Sequence, residues 1–425
     1  MLVARGNARY LGQSVPFTFA FGARGEVRLD IGGEPGLVCI FDGQVHRVDF
    51  GGGWSRFDGI GGHATRAWGL AVSGLWTKPL PEVATRILDR STTSVTIEVR
   101  LDECPAVHHI RCDANSALPT GFDHGAHIPA EKDAINVVRE YRAVGAYRLP
   151  FELESDDGNR YEVEEWVELD FDPELFRTSA APRFRFAADG EAFSSRRIKD
   201  WIVARGRVGE LDGWVAITPL QQTGWIRKQM TDGAVVGPDR RIEVRDLQFG
   251  AVVGTHARLV PADLPILRGE PILAVVGTDE LEGCCVRVRF PGFEVEVLPP
   301  DSLGGDDLWP MSGLRFHRVF SGRLPDGTPT WWAPMAKTPA AVLVKSFARD
   351  SVAAQPHTKS NDKNEPLELD FLDAAGARLT PVRTIVLPDE ESTDPTPLAI
   401  GDAALAGMTL EMDFPRGRYR LIRNR

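Results

Sequence analysis

Val275-Val276-Gly277-Thr278-Asp279-Glu280-Leu281 and Ala399-Ile400-Gly401-Asp402-Ala403-Ala404-Leu405 are two versions of one short pattern. Each has apolar residues, then a glycine, then an acid-bearing stretch that ends in leucine. The likeness extends on both sides, from AVVGTDELEGCCVRVRFPG at Ala274 to LAIGDAALAGMTLEMDFPRG at Leu398. Gly277 and Gly401 lie 124 residues apart, and so do Phe290-Pro291 and Phe414-Pro415. DLQFG at Asp246 matches DFLDA at Asp370 with the same offset, and GWVAITPLQQ at Gly213 matches AAVLVKSFAR at Ala340 at 127. A fixed offset held by several features is the signature of an internal repeat. Each copy is about 100 residues of strands with one short helix-like piece, and the Gly-, Pro- and Asp-rich stretch Asp301 to Pro329 joins them.

Working outward, the earlier part of the chain is strand-like too. VPFTFA at Val15, EVRLDI at Glu26, LVCIF at Leu37, VHRVDF at Val45 and VTIEVRL at Val95 alternate or nearly alternate, with Gly- and Asp-rich turns between them. Period-two patterning with such punctuation predicts a meander of antiparallel strands. A further hairpin is expected around Asp157-Gly158-Asn159. TRAWGLAVSGLW, Thr65 to Trp76, has helical spacing and is expected to be a helix. The aperiodic stretch Asp172 to Ser195 is the expected domain boundary. The domains are therefore read as 1–175, 195–300 and 325–425.

The unit built on the Gly277 and Gly401 turns resembles the lobe of a retropepsin-like aspartic protease. In that family a hydrophobic-hydrophobic-Gly turn lies beneath the catalytic strand and a helix follows; DFPRGRYRLI at Asp413 is similar to its closing strand pair. The first 175 or so residues, with FTFAFGARGEVRLDIGG followed by a DG turn and a helix, resemble the LolA-like half-barrel that precedes such lobes in bacterial proteins. The resemblance implies a mainly β chain: an N-terminal antiparallel half-barrel with a helix, then two acid-protease-like β-barrel lobes.

It also implies a pair of Asp-Thr/Ser-Gly triplets, because the chemistry needs two carboxylates sharing one proton. The matching places read Thr218-Pro219-Leu220 and Lys345-Ser346-Phe347, with neither Asp nor Gly. Threonine is no general base near neutral pH, a lysine reverses the local charge, and proline removes a backbone donor. The expected protein is thus a pseudoenzyme whose cleft, floored by Thr218, Gln221, Gln222, Lys345 and Ser346, binds an extended peptide or protein. Two alternatives stand beside it. One is an active peptidase or other hydrolase using Asp232 and Asp350; the other is a carrier of a lipid or apolar ligand in the N-terminal domain.

Composition bounds the rest. With 49 basic and 60 acidic residues the chain carries a formal charge of −11, which disfavours nucleic acid as a partner because phosphate contacts need a basic footprint. No apolar run approaches the ~20 residues of a membrane helix. Five cysteines (Cys39, Cys104, Cys112, Cys284 and Cys285) are too few and too irregular for a disulfide scaffold. MLVARGNARYLGQSV shows no export signal, so a cytoplasmic location is expected, or a periplasmic or secreted one if the start is truncated. His108, His109, His124 and His127 match no metal spacing, and no metal or cofactor is expected. Cys284-Cys285 is expected to be buried packing, Trp331-Trp332 lobe core, GGGW at Gly51 and GIGGH at Gly59 turns, and KSNDKNE and DEEST solvated loops.

Overall fold

The computed structural model describes residues 1–424 apart from 102–106, 124–134, 178–182, 232–240, 324–328, 336–340, 346–367, 388–397 and shorter segments elsewhere. The chain is mainly β and divides into two compact units, Met1–Ala181 and Pro182–Arg425.

In the first unit the alternating runs form one thirteen-stranded antiparallel sheet. From Trp54–Arg56 the strands follow back in chain order to Leu2–Tyr10. That strand pairs with Arg160–Glu168, and the sheet then runs back to Val83–Arg90 at its other edge. Tyr147–Glu154 and Arg160–Glu168 form the hairpin expected around Gly158. Among the described residues one α-helix, Ile60–Ser73, packs on the apolar face. Ala67, Trp68, Leu70, Ala71 and Val72 join Phe17, Phe19, Phe21 and Tyr161 in one buried cluster. Large side chains buried this way each contribute roughly 1.5–3 kcal/mol. Gly69 is required by that contact, since a Cβ there would stand 3.0 Å from both Phe21 and Val27.

The helix starts earlier than the expected Thr65 and ends before Trp76. The GIGGH segment therefore enters the helix at Ile60 and is not a turn. Glycines at 61 and 62 hide a helical start because they weaken local propensity by about 1 kcal/mol each, while tertiary packing decides the outcome. Gly74, at φ +71°, stops the helix in the left-handed conformation that suits glycine.

In the second unit, six strands close a barrel. Trp201–Val208 pairs with Leu211–Ile217, which runs parallel to Glu270–Val276. The last pairs antiparallel with Trp225–Arg227, which runs parallel to Val252–Ala262. Ile242–Phe249 pairs with Val252–Ala262 and returns to Trp201–Val208. The same order of pairings recurs downstream. His317–Arg323 pairs with Pro329–Met335, which runs parallel to Leu398–Gly401. Leu398–Gly401 pairs antiparallel with Ala341–Lys345, which runs parallel to Val382–Leu387. The hairpin Leu372–Ala374 with Ala377–Leu379 returns to Arg323.

Between the two sets of strands lies a shared sheet. The hairpins Cys285–Arg289/Glu294–Leu298 and Met408–Asp413/Arg418–Arg423 have the same register, Val286 facing Val297 as Leu410 faces Leu421. The two hairpins pair with each other so that Arg287 stands opposite Glu411, its counterpart 124 residues on. The pairing is therefore locally two-fold about that residue pair.

Candidate functional site

The strand Leu211–Ile217 runs parallel to Glu270–Val276 and delivers Thr218 beside the Gly277 turn. Thr218 N–H donates to the Val276 carbonyl at 2.9 Å, and its hydroxyl donates to the same oxygen at 3.0 Å. Pro219 and Leu220 form a turn closed by Gln221 N–H on the Thr218 carbonyl at 3.1 Å, with proline at the position its fixed φ favours. Thr278 N–H then donates to the Gln221 carbonyl at 2.7 Å. Thr218, Pro219, Leu220 and Gln221 thus sit together on the Gly277 turn, held by backbone bonds. The threonine hydroxyl is committed as a donor, and a hydroxyl so placed has no means to take a proton from water near neutral pH.

Behind this turn lies a carboxyl group that spacing did not single out. Glu280 sits in the short 3-10 turn Thr278–Leu281 and is buried. Its Oε2 accepts from Gly277 N–H at 2.7 Å. Burial, helped by the neighbouring Asp279 charge, pushes its pKa up to about 8. Gly224 packs against it, since a Cβ there would meet the Val275 carbonyl oxygen at 2.9 Å and Glu280 Oε2 at 3.1 Å. Nothing in the sequence marks this acid out from its neighbours Asp279 and Glu282.

The second barrel corrects the upstream half of the repeat. Leu343 stands opposite Ala399 as Trp225 stands opposite Val275, so Lys345 is the counterpart of Arg227 on the wall strand. Pro334 faces Ile400 as Ile217 faces Val276, so the residue placed like Thr218 is Met335. The pairings therefore give Gly213 and Ala340 different places in their strand sets, and Lys345 is not the pairing counterpart of Thr218. Alternating apolar strands resemble one another whatever their place in a barrel; only their partners tell them apart. The Asp246–Asp370 match slips by one residue, because Phe249 and Ala374 occupy the same hairpin position. Ser346, Phe347, Gln222, Asp232 and Asp350 lie outside the described residues, as do Ala336 and Lys337 after Met335. Gly401 ends its strand and accepts from Ala404 N–H at 3.0 Å, and Gly277 follows the strand Glu270–Val276.

The other singled-out residues fall into cores. Trp332 is fully buried against Phe320 and Tyr419, and Trp331 is buried. Cys39, Cys112, Cys284 and Cys285 are buried thiols, and burial pushes Cys39 up to about 12 and Cys285 up to about 11. His108 is buried beside Phe122, while Cys104, His124 and His127 lie outside the described residues. No group of three His, Cys, Asp or Glu side chains that could hold a metal occurs among the described residues.

In the first unit the space under the middle of the helix is packed, but a cavity of about 500 Å³ opens at its C-terminal end. Leu2, Phe21, Ala71, Val72 and Leu149 give it an apolar wall, and Tyr147, Arg148 and Glu168 a polar one. No described helix is long and apolar enough to cross a membrane.

No family model matches the chain, and no curated protein matches it by sequence. Solved structures give weak similarity. Conglutin gamma from lupine seeds is 7% identical, with a TM-score of 0.32 over 57% of this chain and 95% of its own. The aspartic proteinase from Irpex lacteus is 14% identical, with a TM-score of 0.32 over 55% of this chain and 97% of its own. A putative outer membrane lipoprotein-sorting protein domain from Vibrio parahaemolyticus is 8% identical, with a TM-score of 0.25 over 41% of this chain and 88% of its own.

Proposed function

We propose that Pro182–Arg425 is a duplicated pair of aspartic-protease-like lobes without catalytic function, and that it binds an extended segment of peptide or protein. One observation carries this reading: the positions at the ends of the two equivalent strands are Thr218 and Met335. An acid-protease mechanism needs an ionised and a protonated carboxyl group in contact there. Neither side chain has a carboxyl group. Capture of an extended chain by strand-like backbone pairing needs no such dyad. The test is to incubate the full chain with an unfolded substrate protein from acid to neutral pH, and separately with an immobilised peptide library. The expected result is no cleavage, with retention of peptides that Thr218→Trp reduces. Retention unchanged by Thr218→Trp counts against the cleft. Cleavage that is lost in Asp232→Asn or Asp350→Asn would replace this reading with an active peptidase.

The cavity at the end of the helix favours a second reading for Met1–Ala181, an LolA-like carrier of a lipid or other apolar ligand. A volume near 500 Å³ with one apolar and one polar wall suits an amphipathic small molecule. A fluorescent fatty-acid probe should bind with saturation, and Ala71→Trp, which fills the cavity, should abolish the signal. A probe that binds Ala71→Trp equally well excludes this site.

A further inference from the structure

The apolar face of the first unit's sheet continues one strand beyond its core. Val83–Arg90 is an edge strand, paired among the described residues with Ser94–Leu101 alone. The register sets Val83, Thr85 and Ile87 opposite Leu101, Val99 and Ile97, which are core residues no more than 8% exposed. Ile87 is nevertheless 63% exposed. A bulge between Ile87 and Asp89 takes Leu88 out of the ladder and leaves it 50% exposed. On the opposite face Arg86 stands across from Glu98 and donates to it at 2.9 Å. The strand has no proline and no lysine to guard the edge; its bulge and its charges at Arg86, Asp89 and Arg90 restrict which partner and register can pair with it.

We propose that this edge pairs antiparallel with the same strand of a second copy of the chain, joining two sheets about a two-fold axis. The sequence VATRILDR selects both the partner and the register. With the axis between Ile87 and Leu88, Ile87 faces the partner's Leu88, Arg86 faces the partner's Asp89 and Thr85 faces the partner's Arg90. A two-fold contact makes each pair twice. It covers both exposed apolar side chains and places opposite charges across the strands, the arrangement that stabilises cross-strand pairs. A guanidinium has five donors, enough to serve Glu98 and a second carboxylate. Moving the axis onto Ile87 would set Arg86 against leucine and lose the charge match. The complementarity is of the strand with itself, which is why the occupant is a second copy and not a foreign peptide.

The experiment is sedimentation of the full chain over a range of concentrations, with a cross-linking arm that reads the register. The expected result is a reversible dimer whose affinity falls by at least about tenfold, or roughly 1.4 kcal/mol, in Ile87→Lys and in Leu88→Lys. Asp89→Arg should weaken it as well. In a Cys104→Ser background, Ile87→Cys mixed with Leu88→Cys should give a disulfide-linked dimer on mild oxidation, and either protein alone much less. All three positions are solvent-facing, so unchanged melting curves will show that the fold survives. A wild-type monomer at every concentration, a dimer indifferent to both lysine substitutions, or cross-linking no stronger in the mixture than in the separate proteins would each overturn the proposal.

Discussion

The two barrels of the second unit share one order of strand pairings and differ in what they place at equivalent points. At the strand end beside the turn, the first has Thr218 and the second Met335. Within the turn, the first buries Glu280, whose counterpart by the 124-residue offset is Ala404. Inside the barrel, Val215 of the first corresponds to Trp332 of the second. Pairing order is fixed by backbone hydrogen bonds, which are indifferent to side-chain identity as long as the face buried is apolar. The side chains at corresponding points are consequently free to diverge, polar and apolar alike. The shared sheet is the exception, because Arg287 and Glu411 are each other's counterpart and also each other's partner.

The comparison can be broken first at that pair. Glu411 is buried, with Arg287 on one oxygen at 2.7 Å and Arg420 on the other at 2.6 Å. Glu411→Ala should destabilise the second unit by about 3–5 kcal/mol, because it removes two charge-assisted hydrogen bonds worth roughly 1.5–3 kcal/mol each, although Glu296 stays on Arg287 and Asp307 on Arg420; denaturant unfolding measures it. A loss below about 1 kcal/mol would mean the pair does not join the two halves. The barrel interiors come next. Trp332→Ala should cost about 3–5 kcal/mol and Val215→Ala about 2 kcal/mol, so equal costs would show that the second barrel is packed more loosely than its burial implies.

Glu280 gives an effect with a definite pH signature. Its folded-state pKa of about 8 lies above the ordinary 4.5, so between these values the folded chain holds the extra proton. Stability must then fall as pH rises from about 4.5 to about 8 and level off above. Glu280→Gln should flatten this dependence and leave the variant relatively more stable at alkaline pH. Ala404→Glu would transplant the same slope to the second barrel. Thermal melts across pH read both, and an unchanged slope in Glu280→Gln would assign the dependence elsewhere. Smallest is Pro219→Ala, expected to lower stability by a few tenths to 1 kcal/mol by loosening the unfolded chain.

Much of this was legible from residues alone, for identifiable reasons. Strands announce themselves by period two, and glycine at a strand end by its place between apolar and acidic residues. Both survive in Val275–Leu281 and Ala399–Leu405. The Gly213–Ala340 match failed because alternation says that a run is a strand and nothing about its neighbour. The true counterpart, PTWWAPM, breaks alternation with two tryptophans, which mark it as core without marking it as the strand that answers Leu211–Ile217. Glu280 is not legible as a site because a buried acid and a surface acid are the same letter, and the burial that chiefly raises its pKa, with help from Asp279, is decided by the fold.

The sequence by itself determined that the chain is mainly β, that one helix interrupts the first unit, and that a pattern repeats at 124 residues. These are local properties, set by periodicity and turn chemistry within a few residues. Tertiary structure alone decided which strand stands beside the Gly277 and Gly401 turns, that Arg287 meets its own counterpart, and that Val83–Arg90 is an edge among the described residues. Those facts rest on pairings between residues far apart in the chain, and hydrogen bonds between backbones leave no mark on the side chains that a sequence records.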